Sequence, residues 1–204
     1  MTNDRSDTKP QDHLFFGGWK TSEETKRTTI TATTLAEPKM FRLSCTELVD
    51  QDIVQFRITV DGEQIKAPLN EGGSVFVEGK SVHVEQIGPG ENFQGSWEVV
   101  REDPYEYEQA TWVAYPQAGA ESLVAAFATE QEFVLTLNPE STGCEDGAMR
   151  VAVDGREIQD ASGNPMVFLE GSSVIGSGKK VAVMVGGSGS AKSKFFGSIK
   201  IRRR

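Results

Sequence analysis

Apolar and polar residues alternate along much of this chain with a period of two. Phe56, Ile58 and Val60 take one face of a short segment while Arg57 and Thr59 take the other, and Val151 and Val153 stand likewise around Ala152. A step of two is the signature of a pleated strand with one buried face. Asp61-Gly62 and Asp154-Gly155 follow these segments directly. Asp-Gly supplies the positive φ that a two-residue hairpin turn needs. Each half of the chain offers about seven such strands separated by turn residues, the habit of a two-sheet sandwich. The Ala-rich stretch 118–129 is the one segment whose composition suits a helix. Its counterpart at 21–34 is Thr-rich and β-prone, so a strand is expected in both.

An internal repeat relates these segments, because the two halves can be laid over one another. Trp19 falls on Trp112, Met40-Phe41-Arg42-Leu43 on Glu132-Phe133-Val134-Leu135, and Phe56 to Gly62 on Met149 to Gly155, with Ile65 meeting Ile158. Val75-Phe76-Val77-Glu78-Gly79 then matches Val167-Phe168-Leu169-Glu170-Gly171, and Ser81-Val82 matches Ser173-Val174. The second copy takes up extra residues after that point. The closing strands, Phe93 to Val99 and Phe195 to Ile201, recover the register. The expected architecture is therefore all-β, with two tandem, internally duplicated β-sandwich domains, Ig-like or jelly-roll-like. An N-terminal arm covers 1–13, the first sandwich 14–100, an acidic linker 101–108 and the second sandwich 109–204.

Composition agrees with many short strands and modest cores: of 204 residues, 37% are hydrophobic and 25% charged, with 21 glycines. The net charge of −9 would repel phosphates, which argues against non-specific nucleic-acid binding. Residues 1–107 hold 11 Lys and Arg against 19 Asp and Glu, a net of −8, whereas 108–204 hold 10 against 11, a net of −1. The first half is the acidic one. Met1 to Asp12 is polar with no apolar core, and no apolar run reaches membrane-spanning length. The expectation is synthesis in the cytoplasm without a signal peptide and no membrane partner, with a virion as one destination.

Candidate chemistry is sparse. Gly186-Gly187-Ser188-Gly189-Ser190-Ala191-Lys192-Ser193 is one residue short of a phosphate-cradling loop, because Ala191 stands where a glycine lets the backbone approach the phosphate. Phe195-Phe196-Gly197-Ser198-Ile199 then alternates like a strand, so no helix N-terminus follows to hold an anion. His13 lies in the polar leader and His83 in an alternating segment, read as a surface or edge-strand residue. With only two histidines and two cysteines, neither a catalytic triad nor a zinc site is expected. Cys45 at a strand end and Cys144 in a loop occupy unlike places in the repeat, which leaves no disulfide framework. Glu102, Asp103, Glu106 and Glu108 beside Tyr105 and Tyr107 read as a solvated linker, with neither the paired placement of glycosidase carboxylates nor calcium-loop spacing. Trp19 and Trp112 occupy equivalent positions, which suits a core better than a binding platform.

No catalytic, metal-binding or cofactor-binding residues are assigned, and no cofactor is expected. The sequence reads as a non-enzymatic structural protein, a surface or cement component of a larger particle such as a virion decoration or head-fibre protein. Its partners are then its own subunits or a capsid lattice. Leu14, Phe15 and Phe16 would anchor the arm on a neighbour, and Arg202, Arg203 and Arg204 would meet an acidic patch on another chain. The alternative is an adhesin-like carbohydrate-binding module using exposed aromatics or loop carboxylates.

Overall fold

Alternation dictates extended backbone, and in the computed structural model the described residues form fifteen strands and no helix. Those residues are 16–20, 27–29, 37–46, 54–87, 94–100, 107–115, 121–138, 142–169 and 171–202. The first half supplies β1 (Phe16–Lys20), β2 (Arg27–Thr29), β3 (Lys39–Cys45), β4 (Gln55–Val60), β5 (Glu63–Gln64), β6 (Leu69–Asn70), β7 (Ser74–Gly79), β8 (Val82–Ile87) and β9 (Gln94–Val99). The second supplies β10 (Tyr107–Ala114), β11 (Glu121–Leu137), β12 (Thr142–Val153), β13 (Arg156–Glu157), β14 (Phe168–Leu169) and β15 (Ser173–Arg202). No helix long and apolar enough to cross a membrane occurs among them. The Ala-rich stretch lies in β11 where it is described as regular structure, as its Thr-rich counterpart led us to expect.

Two sheets result. One runs β1-β9-β3-β7-β11-β15-β12-β13, with β10 added to β15 and β14 to β12; the other runs β2-β8-β4-β5, with β6 added to β4. β11 and β15 are long because they bend without breaking their hydrogen bonding. β11 meets β15 in three stretches, 121–126 against 184–180, 131–136 against 178–173, and 132–137 against 202–197. Within each stretch partner numbers fall as those of β11 rise, the antiparallel sense.

The pairing of the first half recurs in the second. β3 meets β9 with Leu43 opposite Trp97, and β11 meets β15 with Leu135 opposite Ile199. Leu43 also faces Val75 in β7, as Leu135 faces Val174 in β15. Trp19 lies opposite Gly95 and Trp112 opposite Gly197. Asp61 and Asp154 both adopt positive φ, 50° and 52°, each followed by a positive-φ glycine. The Asp61 carboxylate accepts the amides of Lys80 and Ser81 at 2.8 and 2.7 Å. Asp154 accepts those of Lys179 and Lys180 at 2.9 and 2.8 Å.

One part of the sequence alignment is corrected by these registers. The strand that holds the place of β7 is the opening of β15, Ser173 to Gly178, and Val167 to Gly171 answers Pro68 to Gly72 instead. Phe56 faces Leu69 as Met149 faces Phe168, and Gly72 and Gly171 share φ values of 72° and 77°. The extra residues enter earlier than the alignment placed them, between Ile158 and Phe168. There Asp160 turns the chain by accepting the amides of Ser162 and Asn164 at 2.8 and 2.9 Å. Glu170-Gly171 thus answers Glu71-Gly72 and not Glu78-Gly79, which ends β7.

Two clusters of buried side chains form, and neither belongs wholly to one half. One gathers Trp19, Phe41, Leu43, Phe56 and Ile58 but also Leu123 and Ala182. Within it Trp19 meets Phe56 edge-on at a centroid distance of 5.4 Å, a geometry that adds about 1 kcal/mol to the burial itself. The other gathers Trp112, Phe133, Leu135, Phe195 and Ile199 but also Met40, Phe76 and Val100. Met40 and Phe76 lie on the outer face of the first half, since their neighbours Phe41, Val75 and Val77 face inward; all five are fully buried. The second half is what covers them. β10 begins at Tyr107, so the last two residues of the segment read as an acidic linker pair with Arg202 and Ile201 of β15. The N-terminal arm, 1–13, lies outside the described residues.

Candidate functional site

Three places bring polar groups together: a cavity at one end of the first half, the seam between the halves, and the free edge of β15. The cavity, about 430 Å³, is lined by Gly18, Trp19, Ser44, Cys45, Thr46, Gly95 and Ser96. It exists because β1, β9 and β3 come close together at Gly95. A Cβ there would collide with the Ser44 carbonyl and the Trp19 ring. Two of its polar side chains are already engaged. The Trp19 indole Nε1 donates to the carbonyls of Ser44 and Ser96, both at 3.2 Å, and the Ser44 hydroxyl bonds that of Ser74 at 2.9 Å.

Cys45 is a buried free thiol. Burial pushes its pKa up to about 12, with the amide of Gly72 opposing this and the negative Glu71 adding to it. A thiol held in its protonated form is a poor nucleophile and a poor metal ligand. In the second half Leu137 holds the place of Cys45, opposite Gly197 as Cys45 is opposite Gly95. The position therefore works as core in both halves. Trp112 differs from Trp19 in one respect: its Nε1 is buried with no hydrogen-bond partner among the described residues.

The seam is held by a buried amide. Asn70, 1% exposed, donates through Nδ2 to the Val113 carbonyl at 2.9 Å and to the Ser122 hydroxyl at 2.7 Å. Its Oδ1 accepts from Gln55 Nε2 at 3.0 Å. Tyr115 reaches Glu71 at 3.5 Å, Leu123 donates its amide to the Pro68 carbonyl at 2.8 Å, and Arg42 donates to the Gln109 carbonyl at 2.7 Å while pairing with Glu98. β7 and β11 pair directly, Phe76 with Ala125 and Val77 with Ala126. The seam is a structural contact built from these bonds.

At the free edge, Ser173 to Gly178 pairs with β11 on one side and with no described strand on the other. Ile175 stands there 82% exposed, more than any other large hydrophobic residue described. Nothing in the sequence reading singled it out. The available signal was the adjacent pair Val174-Ile175, which breaks strict alternation as Val75-Phe76-Val77 does.

The residues proposed from sequence are placed as follows. Phe16 opens β1 and Arg202 closes β15, whereas Leu14, Phe15, Arg203 and Arg204 lie outside the described residues. Trp19 and Trp112 are buried at 4% and 1% exposure and present no stacking face. Tyr105, Glu102, Asp103 and Glu106 lie outside the described residues, and Glu108 is half-buried in β10. His83 is a correction: β8 runs between β2 and β4, so it lies on an interior strand rather than an edge, its side chain half-buried. Cys144 is a second, lying within β12 opposite Gly189 rather than in a loop. The Gly-rich stretch from Gly186 is strand as well, its backbone in β15 against β12, a conformation that cannot wrap a phosphate. Among the described residues no three His, Cys, Asp or Glu side chains gather as a metal site.

No family model matches the chain, and no curated protein matches it. Among solved structures it is similar to a conserved protein of unknown function from Pseudomonas aeruginosa PAO1, with a TM-score of 0.29 and 12% identity over 88% of this chain and 76% of that one. It is also similar to the protein YhaK from Escherichia coli, with a TM-score of 0.29 and 6% identity over 92% and 84% of the two chains.

Proposed function

We propose that this chain is a non-enzymatic structural protein made of two fused copies of one jelly-roll-like sandwich, serving as a surface or cement component of a larger assembly. In each copy four strands face four: β1-β9-β3-β7 over β2-β8-β4 with β5, and the corresponding stretches of β10, β15 and β11 over those of β11, β15 and β12 with β13. That order, with one sheet's strands interleaved in sequence with the other's, is how a jelly roll is wound. The fold by itself hosts many functions.

The observation that carries the functional reading is how the copies meet. They join through an outer sheet face and a strand edge, Phe76 and Met40 beneath the second half, and not around a cleft. A module that buries its outer face against its own sibling is built for lateral packing, and two such modules on one chain suit neighbouring sites of a regular lattice. A virion decoration protein is one example of such a component, offered by analogy of architecture alone. The two tryptophans at equivalent positions, Trp19 and Trp112, are buried and offer a sugar no stacking face, which favours assembly over the carbohydrate reading.

Sedimentation of the purified full-length chain and of a version lacking residues 1–13 tests this. The reading expects a species heavier than the 22.2 kDa chain, with the arm deletion weakening it. A full-length protein that stays a single chain, unaffected by the deletion, overturns it.

A further inference from the structure

Inside the molecule, β7 is covered on its free side by the opening stretch of β11, with Phe76 opposite Ala125. The strand that answers β7 in the second half is Ser173 to Gly178, and the residue that answers Phe76 is Ile175, since Arg42 faces Phe76 and Val134 faces Ile175. Phe76 is fully buried and Ile175 is 82% exposed. The same position is roofed in one copy and bare in the other.

The missing roof has a counterpart too. The opening stretch of β11 lies beside β15 with Ser122 opposite Val183, and the strand in that place in the first half is β2, with Thr28 opposite Val84 in β8. Among the described strands β2 pairs with β8 alone. One chain thus carries both members of a second, unmade contact, one at each end. A contact between unlike surfaces of identical molecules repeats head to tail, closing into a ring or running on as a filament.

We propose that the free side of Ser173 to Gly178, centred on Ile175, docks β2 of a second copy of this chain, repeating between molecules the contact that β7 makes with β11 within one. The inference rests on the assembly reading and names its interface. Charge favours the same orientation. Lys179 and Lys180 follow the edge directly, and the half that would approach carries nearly all of the chain's negative charge, −8 of −9. Exposed strand edges that proteins do not use are normally blunted by charge, proline or a bulge. This edge carries neither charge nor proline between Ser173 and Gly178.

The test is native mass measurement of the full-length chain, of Ile175→Asp and of Ser177→Lys, across roughly 1 to 100 µM. Both substituted positions are exposed, so thermal melting should match the parent. The proposal expects an oligomer for the parent and the 22.2 kDa chain for both variants. An oligomer in all three overturns this interface and leaves the assembly reading standing; a single chain in all three overturns both. In a Cys144→Ser background, Thr28→Cys combined with Leu169→Cys should cross-link between chains under oxidation only when both are present, because Thr28 and Leu169 answer Ser122 and Asn70, which touch at the seam. Linking by Ile175→Cys alone would mean a two-fold contact of the edge with itself and would overturn the assignment of β2.

Discussion

At the scale of single residues, two glycines fix how closely three strands can approach. A Cβ on Gly95 or Gly197 would fall well under 3.0 Å from a backbone carbonyl, of Ser44 or Thr136, and from the facing tryptophan ring. A carbonyl inside a sheet cannot step aside. Gly197→Ala should therefore destabilise the fold by about 3 kcal/mol, read as a fall in denaturant midpoint, and an unchanged midpoint would contradict the packing described. Cys45 gives a second residue-level outcome. Its folded pKa, about 12, lies above the ordinary 9.0, so above pH 9 the unfolded chain loses a proton that the folded chain keeps. The stability tied to this thiol is whole below pH 9 and is lost as pH rises toward 12. A Cys144→Ser variant should accordingly resist thiol reagents at pH 8 until it is unfolded, and fast labelling of the native protein would contradict the burial of Cys45. The sequence makes part of this scale legible. Asp61-Gly62 and Asp154-Gly155 announce their turns because few residues tolerate positive φ, whereas nothing in a lone cysteine tells whether it faces core or solvent.

At the scale of elements, each Asp-Gly turn is also a clamp. The carboxylate of Asp154 takes the amides of Lys179 and Lys180, tying the turn after β12 to the bend in β15. Asp154→Ala removes both bonds and places alanine at a φ of 52°. The expected loss is about 2 kcal/mol in unfolding free energy, and Asp61→Ala should cost about the same, since the first half makes the same clamp; strongly unequal losses would contradict the equivalence. Strand identity was legible wherever alternation was regular, as in Phe56 to Val60. Register was not, around the insertion between Ile158 and Phe168: Glu71-Gly72 and Glu78-Gly79 look alike in sequence, and only the pairing of Leu135 with Val174 decides between them. The Gly-rich stretch of β15 also resisted reading. Glycine carries no side chain whose periodicity could report a strand.

At the scale of the whole molecule, the halves are interlocked. Asn70 is the buried amide at the seam, bonded to Val113 and Ser122 across it. Asn70→Ala would leave their buried oxygens short of a donor, at about 2 kcal/mol. It should convert a single cooperative unfolding transition into a broader or split one, seen by calorimetry. A sharp, single transition at the parent temperature would show that the seam does not couple the halves. This scale was the least legible, because contacts such as Phe76 with Ala125 join residues far apart in sequence and leave no periodic trace. One hint was present. Val75-Phe76-Val77 departs from alternation because both faces of β7 are covered, and Val174-Ile175 carries the same departure on a strand with one face bare.

Amide hydrogen exchange followed at several protein concentrations tests the central claim most directly. Ser74 to Gly79 should be protected at every dilution, its cover being part of the same chain, while Ser173 to Gly178 should gain protection as concentration rises and a second molecule arrives. Rapid exchange at Ser173 to Gly178 at all concentrations would contradict the account.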